Sequence, residues 1–323
     1  MDTTTLGRTG LKVSVAGLGC GGFSRLGQSN GRSEAESIAV VRLAIDNGIT
    51  LIDTALQYGT ETIVGKAIAK VPRDSIVLAT KCRPARPDAP TTPAILVESL
   101  DASLKALGTD HVDIYQLHGI RPGGYDHARD VLHPELVRQQ KLGKIRFIGI
   151  TETGSGDHEH TMLARAAADG LWDVGMVAFN MLHRTASDRL FPLTQTAGMG
   201  ILVMHAVRSI FARPDFLAES IRALAADGLA PASLAESRAP LDFLVHPGGA
   251  ENLTDAAYRF ARHSPGVDVV LFGTGSPDHL RTNVASLNRP PLPAPDMATF
   301  MELFGNVSGL GLENPGAGKA KAA

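Results

Sequence analysis

The feature that most limits what this chain can fold into is a recurrence. Short apolar or β-branched runs return eight times, with helical spacing between them. They are VAGLG at 15–19, LIDTA at 51–55, IVLATK at 76–81, VDIYQLH at 112–118, FIGITE at 147–152, VGMVAFN at 174–180, GILVMHA at 200–206 and VVLFGT at 269–274. Parallel strands buried on both faces lose the polar alternation of a half-exposed sheet, so this near-continuous apolar character predicts a parallel sheet covered by helices. Eight such units predict an α/β fold of the closed (β/α)8 TIM-barrel type, one domain spanning residues 1–304. The total of 323 residues suits a single barrel.

Finer signals agree with that frame. Ser33 and Glu36 have capping-box spacing ahead of Ile38, Val41, Ala44 and Ile45, which repeat at helical intervals until Gly48. The segment TTLGRTGLKVS before the first run predicts a hairpin closing the barrel bottom. Two connections are long, 119–133 after the fourth run and 207–252 after the seventh. Both leave strand ends where barrel active sites lie, so both are expected to shape a substrate pocket. Beyond residue 304 the sequence turns Gly-rich, predicting a flexible tail over 305–323.

Composition excludes several functions. With 44% hydrophobic and 20% charged residues, the chain has no apolar run long enough to cross a bilayer. A net charge of −2 supplies no basic field for nucleic acid or anionic lipid. Cys20 and Cys82 are too few for a disulfide framework or a thiolate metal site, and His158 and His160 read as a solvated polar loop, so no metal is expected. The opening residues MDTTTLGRTG lack a basic, then apolar leader, which predicts a cytoplasmic protein with a small-molecule partner. No heptad seam indicates an oligomeric state.

The chemistry lies at the carboxyl ends of successive runs: Asp53 and Tyr58 after the second, Lys81 ending the third, His118 ending the fourth. A barrel gathers such positions at one mouth. A phenol is a poor acid near neutrality, and an adjacent ammonium lowers its pKa. Lys81 is placed to do this for Tyr58, with Asp53 holding the lysine and a neutral His118 orienting a substrate oxygen. Such a set moves a proton to or from an oxygen whose carbon gains or loses a hydride.

At these residues the sequence resembles the aldo-keto reductase superfamily, through IDTALQYG at 52–59, ATK at 79–81, SLKALGTDHVDIYQLH at 103–118 and GKIRFIGIT at 143–151, with likeness extending from LGRTGLKVS at 6–14 to GTGSPDHLRTNVASL at 273–287. The resemblance implies an NAD(P)-dependent oxidoreductase that interconverts a carbonyl (aldehyde, ketone or sugar) and its alcohol. Tyr58 is then general acid/base, tuned by Lys81 and Asp53, with His118 as orienter. It implies NADP(H) ahead of NAD(H), held without a Rossmann fingerprint, since GLGCGG at 17–22 lacks that order.

The implied cofactor contacts are Gly19, Cys20, Gly21 and Asp53; Thr151 and Glu152; Met176; Met204, His205, Ala206, Val207 and Arg208; and Gly273, Thr274, Gly275, His279, Arg281 and Asn283. Several depart from the family. Thr151 and Glu152 stand for a Ser-Asn pair, Met176 for Gln, and Met204 with His205 for an aromatic followed by Ser. A thioether cannot grip a carboxamide as an amide does. These departures leave two other readings open: a nucleotide-sensing regulatory subunit with slow turnover, or an acid/base elimination or epimerisation enzyme that retains its cofactor.

Overall fold

The computed structural model describes residues 1–82 and 90–312. β1 (Thr3–Thr5) and β2 (Lys12–Ser14) pair antiparallel as the predicted hairpin. The eight runs form β3 (Ala16–Gly19), β4 (Leu51–Asp53), β5 (Val77–Lys81), β6 (Val112–Ile120), β7 (Ile145–Glu152), β8 (Val174–Ala178), β9 (Gly200–Met204) and β10 (Val269–Phe272). They close in the order β10-β3-β4-β5-β6-β7-β8-β9, every pair parallel.

Helices between the strands cover the outer face, and the first shows how local chemistry sets its limits. Glu34–Asp46 begins where Ser33 Oγ accepts from the Glu36 amide at 3.3 Å and the Glu36 carboxylate accepts from the Ser33 amide at 2.8 Å. Such a cap stabilises a helix by about 1 kcal/mol. Val40, Val41 and Ala44 are buried against the barrel, and Ile38 and Ile45 are half-buried. Among the described residues no helix is long and apolar enough to cross a membrane.

Strand parity divides the core in two. Side chains alternate across a strand with period two, and here one parity fills the barrel while the other meets the helices. Leu51, Val77, Ala79, Ile114, Val174, Met176, Leu202, Val269 and Leu271 form one inner cluster, joined from below by Leu6, Leu11 and Val13 of the hairpin segment. The outer cluster takes the alternate positions, among them Leu18, Ile52, Leu78, Tyr115, Ile150, Val177 and Val203. Following the inner parity up each strand leads to Asp53, Lys81, Gln116, His118, Thr151 and Met204 at the carboxyl ends.

The two long connections differ from each other. Residues 119–133 form no pocket loop: β6 runs on to Ile120, helical turns start at Pro122 and continue to Lys141, and the cavity lining includes none of these residues. Their anchor is Tyr125, fully buried, whose hydroxyl donates to Asp169 at 2.7 Å and accepts from Trp172 Nε1 at 3.1 Å. By contrast, 207–252 carries the helices Arg208–Ala212 and Pro214–Ala226 and does line the cavity.

The expected flexible tail also needs correction where it is described. Val307 and Leu312 are buried, the Gly309 amide donates to His183 Nδ1 at 2.8 Å, and the Leu312 carbonyl accepts from Arg208 at 2.9 Å. These contacts tie 305–312 to the barrel. Residues 313–323 lie outside the described residues.

Candidate active site

Asp53, Lys81, Gln116 and His118 share a mouth because all four have inward parity near the carboxyl ends of β4, β5 and β6. Tyr58 arrives differently, on the single helical turn Leu56–Tyr58 that follows β4. Its amide donates to the Ala55 carbonyl at 2.9 Å and its carbonyl accepts from Arg25 Nε at 2.8 Å. Gly21 gives the ring its place: a Cβ there would stand 2.5 Å from the Tyr58 ring. Any larger residue at 21 would push the phenol aside.

Lys81 is fully buried, and its ammonium donates to both oxygens of Asp53 at 2.6 Å and to the Thr54 carbonyl at 2.9 Å. Gln116 Nε2 donates to Asp53 Oδ1 at 3.2 Å. Sequence reasoning missed Gln116, although its parity with His118 in VDIYQLH is a readable signal. The Lys81 ammonium stands 5.1 Å from the centre of the Tyr58 ring, and the Tyr58 hydroxyl lies 3.4 Å from His118 Nε2.

The charges on these groups follow from burial first and neighbours second. Burial works against the Lys81 charge, yet Asp53 and then Tyr58 outweigh it, so the ammonium is held above its ordinary value. Burial lifts the Tyr58 phenol; the Lys81 charge pulls it down, and the net direction is up. The sequence predicted a lowered phenol, and the desolvation of a nearly buried ring reverses the sign. His118 is pushed to about 3, by burial and then by Lys81, so its imidazole is neutral at physiological pH. Burial also raises both thiols, Cys82 to about 11, so neither cysteine supplies a thiolate near neutrality.

Tyr58 and Asp53 open into a cavity of about 980 Å³ that runs from Gly19, Gly21 and Gly22 past Met176 and Met204 to Gly273, Thr274, His279 and Asn283. That volume reaches the upper end of small-molecule sites, roughly 300–1,000 Å³. His205, Ala206, Val207 and Arg208 line it too, as do Phe23 and Phe211. The family model described as "Aldo/keto reductase family" matches residues 17–304, the whole barrel and the rim of this cavity.

The chain belongs to the aldo-keto reductase family. Three curated proteins are similar to parts of it. L-galactose dehydrogenase of Arabidopsis thaliana is 37% identical over 157 residues, 47% of this chain and 48% of that protein. The uncharacterized oxidoreductase YrpG of Bacillus subtilis is 31% identical over 224 residues, 62% and 65% of the two chains. The aldo-keto reductase YhdN of the same bacterium is 38% identical over 159 residues, 47% of each. The matches thus span about half to two thirds of these relatives. In fold, the chain is similar to the aldo-keto reductase AKR11C1 from Bacillus halodurans in its holo form, with TM-score 0.73 and 23% identity over 95% of this chain and 98% of that one.

Within this aldo-keto reductase the expected cofactor positions divide by geometry. Cys20 and Glu152 have outer parity and do not reach the cavity. Cys20 is buried in the outer core, whereas the Glu152 carboxylate accepts from the Ala178 amide at 2.8 Å and bonds His160 Nδ1 at 3.0 Å. Thr151 is also spent on structure, its hydroxyl accepting from the Gly119 amide at 2.7 Å. Gly275 lies off the cavity lining, where a Cβ would come within 2.3 Å of the Gly27 backbone. Arg281 projects outward onto Asp278 at 3.1 Å and does not line the cavity.

The histidines need a similar revision. His158 is exposed as read, but His160 is fully buried, and its ring centre lies 5.0 Å from that of buried His183. No group of three or more potential metal ligands in metal-holding geometry occurs among the described residues. Burial, joined by Arg208 and His183, pushes His205 on the cavity wall to about 3. His205 takes a left-handed backbone, φ 68°, which ends β9 and turns the chain into the 207–252 excursion.

Proposed function

We propose that this protein is an NAD(P)-dependent oxidoreductase that interconverts a carbonyl and its alcohol, with Tyr58 as general acid/base. The observation that carries the reading is the buried chain Asp53–Lys81–Tyr58–His118, which ends in a phenol at the floor of a dinucleotide-sized cleft. Family membership supports it, as does L-galactose dehydrogenase among the relatives. When bound, the nicotinamide supplies or takes the hydride. The residues left to hold it are Gly19, Gly21, Met176 and Met204 beside the reacting end, the segment 205–208, and Gly273, Thr274, His279 and Asn283 further along. The cleft fits such a group in its volume and in its buried orphan atoms, His205 Nδ1 and Arg208 Nε.

In this reading the protein's own work is to place one proton. His118, neutral, presents Nε2 beside the Tyr58 hydroxyl and fixes where a substrate oxygen can sit. Tyr58, held as a phenol, gives its proton to that oxygen in reduction; in oxidation it takes the alcohol's proton once ionised. Lys81 touches no substrate because it is fully buried; it acts through Tyr58, stabilising the phenolate left after transfer. Asp53 and Gln116 keep Lys81 in place.

We place NADP(H) ahead of NAD(H) as the carrier, in a cytoplasmic protein with a small-molecule substrate. Absorbance at the dinucleotide band during mixing with aldehyde, ketone and sugar panels tests the reading; failure of both NADPH and NADH to bind at millimolar concentration rejects it. Retention of cofactor through many turnovers, with product formed and no net oxidation or reduction, would select the epimerisation or elimination reading instead.

A further inference from the structure

The turn that carries Tyr58 is tied down behind the cavity, by side chains that do not line it. Thr54 and Thr60 flank the turn, and their hydroxyls meet at 2.9 Å. Glu61 opens the helix Glu61–Ile68 that follows, and its Oε1 accepts from the Thr80 hydroxyl at 2.6 Å. Thr54, Thr60 and Thr80 are fully buried, and Glu61 is only 3% exposed. A carboxyl so deep is costly, and an apolar residue would fill the place without that cost. Burial holds Glu61 above its ordinary pKa, against the Thr80 and Ser103 hydroxyls and the Lys81 charge.

Strand parity connects this bond to the chemistry. Lys81 points into the barrel, and Thr80, one residue earlier, points out towards the helices. β5 therefore grips the Tyr58 segment from both faces. Inside, Lys81 Nζ donates to the Thr54 carbonyl at 2.9 Å; outside, the Thr80 hydroxyl donates to Glu61. Tyr58 lies between these two anchors. Gly59, left-handed at φ 69°, turns the chain from Tyr58 into the helix. That helix is itself pressed onto the next, Pro93–Leu107, since a Cβ on Gly65 would come within 2.7 Å of the Ala106 carbonyl.

We propose that Glu61 is a positioning residue for Tyr58: through Thr80 it locks the Tyr58 turn to the strand that carries Lys81, and so sets the separation between phenol and ammonium. The inference rests on the function proposed above, in which that separation decides how strongly Lys81 stabilises the phenolate. Glu61 touches neither substrate nor cofactor and reaches the reaction only through where Tyr58 sits.

Thr80→Val removes the hydroxyl and keeps a β-branched side chain in the strand. With the carbonyl–alcohol pair turned over fastest in the panel above, T80V should lower kcat by about tenfold or more, while KM and the dinucleotide Kd shift less than about threefold. Its pH profile for alcohol oxidation should move up by about half a unit or more, because a phenol further from Lys81 ionises later. Glu61→Ala, which cuts the bond from the other side, should do the same. T80S restores the hydroxyl, and E61Q keeps an oxygen that can accept from Thr80, so each should recover most of the rate. Val64→Ala, in the buried face of the same helix, supplies the comparison for lost packing: it should lower Tm without moving the pH profile. If T80V and E61A keep the wild-type kcat and profile, or if V64A shifts the profile as they do, Glu61 is only structural; the inference is rejected and the function stands. If the wild type binds no dinucleotide, both fall.

Discussion

The two walls of the cavity are built on opposite plans. On the wall made by β4, β5 and β6 a buried ion pair is held within the protein: Lys81 donates to both oxygens of Asp53 and to the Thr54 carbonyl, and Gln116 adds a third bond to the carboxylate, while Gln116 Oε1 and His118 Nδ1 are buried without partners among the described residues. On the wall made by β8, β9 and the 207–252 excursion, two thioethers face the space, and His205 Nδ1 and Arg208 Nε are buried without partners among the described residues. That ion pair is set in place before any ligand arrives. On the second wall the Arg208 side chain donates to the Leu312 carbonyl and has no carboxylate partner among the described residues. The difference teaches where to look for each property: proton transfer should depend on the first wall, and affinity on the second.

The largest test of that division is Tyr58→Phe. Losing one hydroxyl should reduce turnover by a factor of about 10²–10⁴ while the dinucleotide Kd changes less than about threefold. Parallel loss of rate and affinity, measured by initial rates and calorimetry, would break the comparison. Next is Lys81→Met, which leaves Asp53 buried and unpaired. It should lower unfolding free energy by about 3–5 kcal/mol in urea denaturation, because the orphaned carboxylate loses its counter-charge.

Behind the cavity, at the end of β7, Glu152→Gln should cost about 1–3 kcal/mol of stability through its bonds to His160 and the Ala178 amide. Cofactor affinity should stay within about twofold, since the side chain faces away from the cavity. A marked affinity loss would restore Glu152 to the ligand's surroundings. Met204→Tyr puts a ring in the family's aromatic position and should tighten dinucleotide binding by roughly threefold to tenfold, read by calorimetry.

The smallest expected effect is a missing one. With His118 at about 3 and Tyr58 raised, carbonyl reduction should stay flat between about pH 5 and about pH 8, with no break near the ordinary histidine value. Alcohol oxidation should climb with pH, because it needs the ionised form of a phenol whose pKa is raised. A histidine-like inflection that disappears in His118→Gln would overturn the neutral assignment.

Much of this was legible in the chain. The eight apolar runs are the eight barrel strands, and the four polar groups at their ends meet at one mouth because both follow from local pattern and topology. What misled was parity. Near-continuous apolar runs hide which residues face inward, so Cys20 and Glu152 were placed beside the cofactor although each stands one residue out of phase with the inner face. Counting by twos from Asp53, Lys81 and His118 would have excluded neither run, yet it points to Gln116 as a fourth inward group. Tertiary environment was less readable still: His160 looks like a loop residue, and only the fold shows that it sits sealed beside His183. The sign of the Tyr58 shift likewise depends on how deeply the ring is buried, which neighbouring residue types do not reveal.

The seam of the barrel has a consequence for synthesis. Leu18 of β3 pairs with Phe272 of β10, and Gly19 and Gly273 stand side by side on the cavity rim. A growing chain has already added Asp53, Tyr58, Lys81 and His118 when residue 269 is reached, so these residues are synthesised while β3 still has a bare edge. During that interval β3 and β9 each present an unpaired edge able to accept a foreign strand, and the last strand covers both at once.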